Sequence, residues 1–363
     1  MKTPVVAAPM QNSPLRSCYE QQAKLTEFAD WILPGQFAGL MVEHQAVRQR
    51  AGLFDISHMG QIQLTGPDAL VHLNRLVPSD IAHLSPGMAK YTLLLNEQGG
   101  ILDDLIVYAQ GEAGVKLIVN AACTTKDLRW LRQHLPPTLQ LEHLHYALLA
   151  LQGPQATAIF QTLTDTPLAT IPRFGHGTFA TPLGTVWAAR TGYTGEDGWE
   201  IQAEPSVGQA LWRELLQRGA TPCGLVARDV LRLEAGLHLY GQDMNESTTP
   251  LAAGLSWVVD WHKGDFLGRA ALLIQKQTGV AQKLVGLWGT GRRIFRTGYP
   301  VLATDRIVGH VTSGTLSLSL GRPIGFAYVD TAWAQEGTPL TVQVRDQALP
   351  VTVGKRTFYR RAG

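Results

Sequence analysis

The stretch Tyr91–Tyr108, YTLLLNEQGGILDDLIVY, decides how this chain is read. Ile101 and Leu102 precede two adjacent carboxylates, Asp103 and Asp104, and Leu105, Ile106 and Val107 follow them. The run is short, rich in β-branched residues and preceded by Gly99-Gly100, so it reads as a strand leaving a tight turn. Successive side chains of a strand point to opposite faces. Asp103 and Asp104 therefore do not form a facing pair that shares one proton. Asp104 shares its face with Leu102, Ile106 and Tyr108, which makes it the acid of a lined cleft. A carboxylate buried there needs a donor or a chemical task, because burying it unpaired is strongly unfavourable. Asp103 is expected to be a turn or strand-edge acid that looks outward.

Outward from this strand, Lys116–Asn120 reads as its hairpin partner across the Gly111–Gly114 turn, and Thr125–His134 as an amphipathic helix ended by Pro136-Pro137. Upstream, helical spacing is expected over Pro14–Ala29, with Leu15, Tyr19, Leu25 and Phe28 as apolar members, and again over Met41–Arg50. Gln61–Leu64 alternates as a strand and runs through Gly66-Pro67 into a helix over Ala69–Leu76. The device returns at Leu148–Leu151, Gly153-Pro154 and Ala156, so Leu-x-Gly-Pro-x-Ala occurs twice in register. This repeat points to a duplicated α+β unit in which helices cover one face of an antiparallel sheet. Val186–Arg190 and Trp199–Gln202 read as strands, Pro205–Gln217 and Ala227–Glu234 as helices. Beyond about residue 280 the texture changes to short alternating runs divided by Gly and Pro, as in Arg306–Thr312 and Leu340–Val344, which suggests a separate small β-barrel or sandwich. The division expected is 1–280 and 281–363.

Composition narrows the function classes. The 363 residues are 45% hydrophobic and 17% charged with a net charge of +2, an ordinary globular balance that does not suggest nucleic acid as partner. Arg292, Arg293 and Arg296, and Arg356, Arg360 and Arg361, form local basic clusters suited to solvent, an acidic partner or an anionic ligand tail. Cys18, Cys123 and Cys223 are odd in number and lack metal-ligand spacing, so neither a disulfide scaffold nor a zinc site is expected. No apolar run reaches the roughly 18 residues of a membrane span, and no membrane association is expected. The N-terminal tail holds Lys2 and Arg16 without a secretory core or an Arg-rich transit pattern, and a bacterial-type cytoplasm is the expected location.

Two further motifs bear chemistry. Thr191–Gly198, TGYTGEDG, contains three glycines but neither GxxxxGK[ST] nor a GxGxxG entering a helix, so it is not a phosphate loop. It leads into Trp199-Glu200-Ile201, where Glu200 faces away from its apolar neighbours, and Arg232 follows near the end of a helix. Glu200 reads either as a solvent-facing strand residue or as a carboxylate that receives two adjacent N–H donors of a heteroaromatic ring. Arg232 reads either as a cation favoured by a helix C-terminus or as part of that site. Tyr91, Tyr193 and Trp199 are available as aromatic walls.

Together with GLFDISHMGQI, ARDVLRLEAGLHLYG and GHVTSG…IGFAYV, these segments resemble the T-protein (aminomethyltransferase) family of the glycine cleavage system, in the family's order from about Pro14 to Tyr359. The resemblance implies three domains around a central folate cavity, the last a small β-barrel. It implies transfer of a methylene carbon from an S-aminomethyl adduct on the lipoyl arm of an H-protein to tetrahydrofolate as co-substrate. The products are 5,10-methylenetetrahydrofolate, ammonia and the dihydrolipoyl carrier, with a functional link to the P- and L-proteins and neither metal nor flavin. By the same resemblance Asp104 is the essential aspartate, Glu200 holds the pterin with Arg232 nearby, and Tyr91, Asn120 and Tyr193 line the folate site. Arg296, Phe358, Tyr359 and Arg360 fall where the family places further ligand contacts. Ser317-Leu318 departs from the Ser-Pro of many members.

In such a reaction a carboxylate stabilises the iminium-like carbon, orients folate amines or accepts a proton. An aspartate near its ordinary pKa of ~3.9 is a poor base unless burial raises it, so orientation with electrostatic stabilisation is the expected role. Two relatives of the same fold compete. Flavin-dependent dimethylglycine and sarcosine oxidases need a Rossmann unit that is missing here. A folate-binding accessory protein of iron–sulfur cluster maintenance carries KGCYxGQE, where this chain reads Lys263-Gly264-Asp265-Phe266-Leu267-Gly268.

Overall fold

A computed structural model describes residues 10–361. Lys2, part of the N-terminal reading, lies outside them. The chain is mixed α+β and divides into two compact units that interleave along the sequence. One contains the residues through Gly60, Leu144–Gly192 and Glu196–Arg228; the other contains Gln61–His143, Tyr193–Gly195 and the residues from Asp229 onward.

The first unit is built on a six-stranded sheet ordered His176–Thr181, Gly184–Ala189, Gly198–Ala203, Ala147–Gln152, Gly52–Asp55 and Thr221–Pro222. Its pairs are antiparallel except the last. Helices Ala156–Gln161 and Pro205–Gln217 supply Phe160, Leu211 and Trp212 to a core shared with Leu149, Leu151, Trp199 and Ile201 of the sheet.

The helix expected over Pro14–Ala29 is absent. Arg16–Cys18 is a single 3₁₀ turn that buries Leu15 and Tyr19, while Lys24–Phe28 is a strand paired antiparallel with Trp31–Gln36. Phe28 lies opposite Trp31, so Ala29 and Asp30 form a two-residue loop, and both adopt positive φ (48° and 64°) as a type I′ hairpin turn requires.

The second unit contains a five-stranded sheet ordered Ala89–Leu95, Ile101–Ala109, Val115–Val119, Gly60–Thr65 and Gln140–Leu144. One face is covered by helices Ala69–Asn74 and Thr124–His134, whose Leu73, Leu128 and Leu131 pack with Leu105, Val107, Leu117 and Val119. The repeated Gly-Pro device occurs once in each unit. Gly66 and Gly153 take φ of 123° and 131° in matching strand-to-helix turns. A side chain on Gly153 would meet the Arg50 carbonyl at 2.5 Å, and one on Gly66 the Thr138 carbonyl at 2.9 Å.

The C-terminal part of this unit is a closed barrel of six strands, Gln282–Gly289, Arg322–Asp330, Arg306–Ser317, Pro300–Ala303, Pro339–Val344 and Gln347–Gly354. Inward alternation supplies Leu287, Val301, Val311, Val329, Val342 and Val353 to its core. The expected barrel after residue 280 is therefore present.

Candidate active site

The antiparallel register places Leu105 opposite Val119, so Asn120, the next residue of the partner strand, arrives beside the two aspartates. Its side-chain Nδ2 donates to Asp104 Oδ1 at 2.7 Å and to Asp103 Oδ1 at 2.8 Å, and its backbone N–H donates to Asp103 Oδ2 at 3.0 Å. Tyr91, on the neighbouring strand, donates its hydroxyl to Asp104 Oδ2 at 3.0 Å. Asp104 is thus half-buried and gripped on both oxygens. Burial, then the adjacent Asp103 charge, pushes its pKa up to about 7 against the bonds from Tyr91 and Asn120. The Tyr91 hydroxyl is held well above the usual tyrosine range, first by burial and then by Asp104.

Asp103 is not the outward turn acid expected. It is 0% exposed. The helix Thr124–His134 covers its face of the sheet and brings a third carboxyl, Asp127, beside it. Alternation separates the two strand acids correctly; what it misses is that both faces are covered. Sequence reasoning also missed Trp257. The residue is 69% exposed, and its ring stacks on Tyr91 with centroids 5.8 Å apart.

Glu200 belongs to the other unit, on the strand Gly198–Ala203, opposite Ala150 and Ala189. It is 8% exposed, so it is not a solvent-facing strand residue. Thr191 Oγ1 donates to Glu200 Oε2 at 2.7 Å. Burial raises its pKa, and the charge of Arg228 followed by the Thr191 bond works against that rise. His58 lies in the field of the same Arg228; burial first, then that charge, lowers its pKa to about 3, so it is neutral.

The glycines of the preceding loop serve close packing. A side chain on Gly192 would stand 1.9 Å from Gln152 Oε1, and one on Gly198 would stand 2.5 Å from Gln152 Nε2. That amide donates to the Thr191 carbonyl at 3.0 Å and so seats the residue that holds Glu200. Trp199 is a core residue, 0% exposed with Nε1 on Thr157, and forms no pocket wall.

Arg232 was expected beside Glu200 as a ligand residue. Its guanidinium is 1% exposed and committed to the protein, donating to Asp229, the Leu237 carbonyl, Asp243 at 2.7 Å and Ser313 at 2.8 Å. Burial is the largest single influence and opposes its charge, but Asp243, Tyr193 and Asp229 together outweigh it and raise its pKa. The arginine whose charge reaches Glu200 is Arg228, one helical turn earlier.

Tyr193 is half-buried and donates its hydroxyl to the His238 carbonyl. Phe358 is a packing residue, buried at 6% among Leu233, Phe326 and Tyr328 and stacked 5.8 Å from Phe326, so its side chain is not presented to a ligand. The backbone N–H groups of Phe358 and Tyr359 both donate to the Glu234 carbonyl. Tyr359 is half-buried, while Arg296 and Arg360 are exposed. Arg356 departs from its basic cluster: it is held by the Ala253 and Gly254 carbonyls.

Comparison with known proteins gives consistent matches along the chain. Residues 16–263 match the model of the GCVT N-terminal domain and residues 282–360 that of the glycine cleavage T-protein C-terminal barrel domain. An aminomethyltransferase of Thermosynechococcus vestitus is 51% identical over 358 residues, covering 98% of this chain and 97% of that protein. One from Synechocystis sp. is 52% identical over 349 residues, covering 94% of each. Among solved structures, the crystal structure of glycine cleavage system aminomethyltransferase T from Bartonella henselae superposes with a TM-score of 0.91. It has 36% sequence identity and covers 96% of this chain and 98% of that one.

Proposed function

Since the chain belongs to the glycine cleavage T-protein family, we propose that it is an aminomethyltransferase. On this reading it passes the methylene carbon of an S-aminomethyl-dihydrolipoyl carrier to tetrahydrofolate, releasing ammonia and forming 5,10-methylenetetrahydrofolate. The observation that supports a catalytic rather than a purely binding role is the half-buried Asp104 carboxylate. It is oriented by Tyr91 and Asn120 and raised to about 7 by burial and Asp103.

Tetrahydrofolate supplies two nitrogens that bond to the carbon as its bonds to sulfur and to the departing nitrogen break. Positive charge develops on that carbon, and a carboxylate fixed beside it lowers the barrier without reorganising. The raised pKa also brings Asp104 into the range where it exchanges a proton near neutral pH, so proton transfer joins orientation and electrostatic stabilisation as its proposed work. Glu200 is proposed as the acceptor of pterin N–H donors: it is a seated, buried carboxylate with a cation in its field. Arg228 is proposed as its partner in place of Arg232. Tyr91 and Tyr193 are proposed as aromatic lining, and Arg296, Tyr359 and Arg360 as polar contacts of the C-terminal part.

The exposed Arg292, Arg293 and Arg296 are proposed to receive an acidic, lipoylated H-protein, linking the chain functionally to the P- and L-proteins. A cytoplasmic location and the division into 1–280 and 281–363 are kept as parts of the proposal. Among the described residues no helix is long and apolar enough to cross a membrane. The deciding experiment is ammonia release from aminomethylated H-protein with and without tetrahydrofolate. Release that depends on the folate supports a transferase; binding of folate without release would favour an accessory protein.

A further inference from the structure

Asp127 sits in the first turn of the helix Thr124–His134 and is 0% exposed. Neither of its carboxyl oxygens receives an N–H or O–H donor among the described residues. The charge that acts on it most strongly is that of the Asp103 carboxyl, which is equally buried. Two ionised carboxylates buried side by side repel one another and offer no donor, so one of the pair carries a proton that the other can accept. Asp103 already accepts from the Asn120 backbone N–H and from Asn120 Nδ2. Asp127 has nothing else to accept, which makes it the protonated partner and Asp103 the anion.

The same Asn120 Nδ2 that donates to Asp103 also donates to Asp104. The buried carboxyl of the helix is therefore connected through Asp103 and Asn120 to the carboxylate proposed to do the chemistry. We propose that Asp127 is a positioning residue, the far end of an Asp127–Asp103–Asn120 relay that fixes the orientation of Asp104.

The charged and titratable groups around Asp127 agree with its role as proton donor. Burial first, then the charge of Asp103 and its hydrogen bond, and last the charge of Asp104 hold Asp127 far above the usual carboxylate range. Lys126 acts the other way, but its ammonium is directed to the Leu102 carbonyl, the Tyr240 hydroxyl and Glu246. The helix N-terminus also favours an anion, but by less than burying two adjacent carboxylates disfavours it. Cys123, beside the same acids, is kept a neutral thiol by burial and by their charges. The relay gives a physical reason for an acid on a helix face that otherwise contributes leucines to the core.

The inference rests on the proposed catalytic role of Asp104, and its test separates the two. Folate-dependent transfer is measured in a cycle of the wild type, Asp127→Leu, Asp104→Asn and the double variant, with Asp127→Asn as a fifth protein. An asparagine amide still donates to Asp103, so Asp127→Asn is expected to keep kcat within about threefold, while Asp127→Leu lowers it by about tenfold or more with folate KM little changed. In the Asp104→Asn background the leucine substitution is expected to change the residual rate by less than about twofold, because the relay then ends on nothing that reacts. A full leucine effect in both backgrounds, or an asparagine variant as impaired as the leucine one, overturns the relay. If Asp104→Asn alone transfers at the wild-type rate, the catalytic reading falls instead. Should Asp127→Leu fail to fold, the infrared spectrum of the intact protein decides. A protonated carboxyl band at neutral pH that vanishes in Asp127→Asn supports the relay, and absence of that band in the wild type overturns it.

Discussion

Asp104 and Glu200 are both carboxylates on antiparallel strands, both oriented by a hydroxyl donor, and both pushed upward by burial. Their surroundings have opposite sign. Asp104 stands beside Asp103, with Asp127 behind it, and the adjacent charge adds to the effect of burial. Glu200 stands in the field of Arg228, which works against burial and favours the anion. A carboxylate crowded by acids keeps a poorly compensated charge, which suits stabilising a cation or exchanging a proton. A cation facing a carboxylate favours its anion, the form that accepts N–H donors, which suits holding a ligand. The contrast divides the labour between chemistry and binding.

The substitution most able to break that contrast is Asp104→Asn. Loss of a positioned electrostatic or acid–base group is expected to lower kcat by roughly 10²–10⁴ with folding intact. Glu200→Gln is expected instead to weaken tetrahydrofolate binding by roughly 10–100-fold, the scale of one charge-assisted hydrogen bond, with transfer at saturating folate nearly unchanged. Equilibrium titration checks it, and an unchanged affinity would remove Glu200 from the site.

A smaller effect concerns stability. The folded-state pKa of Asp104 lies above the unfolded carboxylate value, so the folded chain binds its proton more tightly. The stability contributed by Asp104 is fully present below about pH 4 and is lost as pH rises through about 7. Asp104→Asn is therefore expected to be more stable than the wild type above neutral pH, by ~1 kcal/mol, and no more stable below about pH 4. Thermal unfolding at two pH values measures it.

Much of this was legible in the sequence because periodicity reports burial directly. The alternating runs after residue 280 form the closed barrel, and the twice-used Leu-x-Gly-Pro-x-Ala marks matching strand-to-helix turns in the two units. Alternation also placed Asp103 and Asp104 on opposite faces. It did not reveal that a helix more than twenty residues downstream covers the face of Asp103, because a strand does not encode what packs upon it.

The same limit explains Arg232. A helix-end arginine reads alike whether it meets a ligand or a buried Asp243, and only tertiary contacts choose the second. The lost helix at Pro14–Ala29 has a local cause. Ala29 and Asp30 occupy a type I′ turn without the usual Asn-Gly signal, so Leu25 and Phe28 belong to a hairpin although their spacing imitates a helix.

The most direct test of Asp104 as the reacting carboxylate is the pH dependence of single-turnover transfer at saturating tetrahydrofolate, in the wild type and in Asp104→Asn. The wild-type rate is expected to rise with pH through about 7, as Asp104 ionises, and the variant to be slow and flat over that range. The same rising limb in both proteins would contradict the assignment.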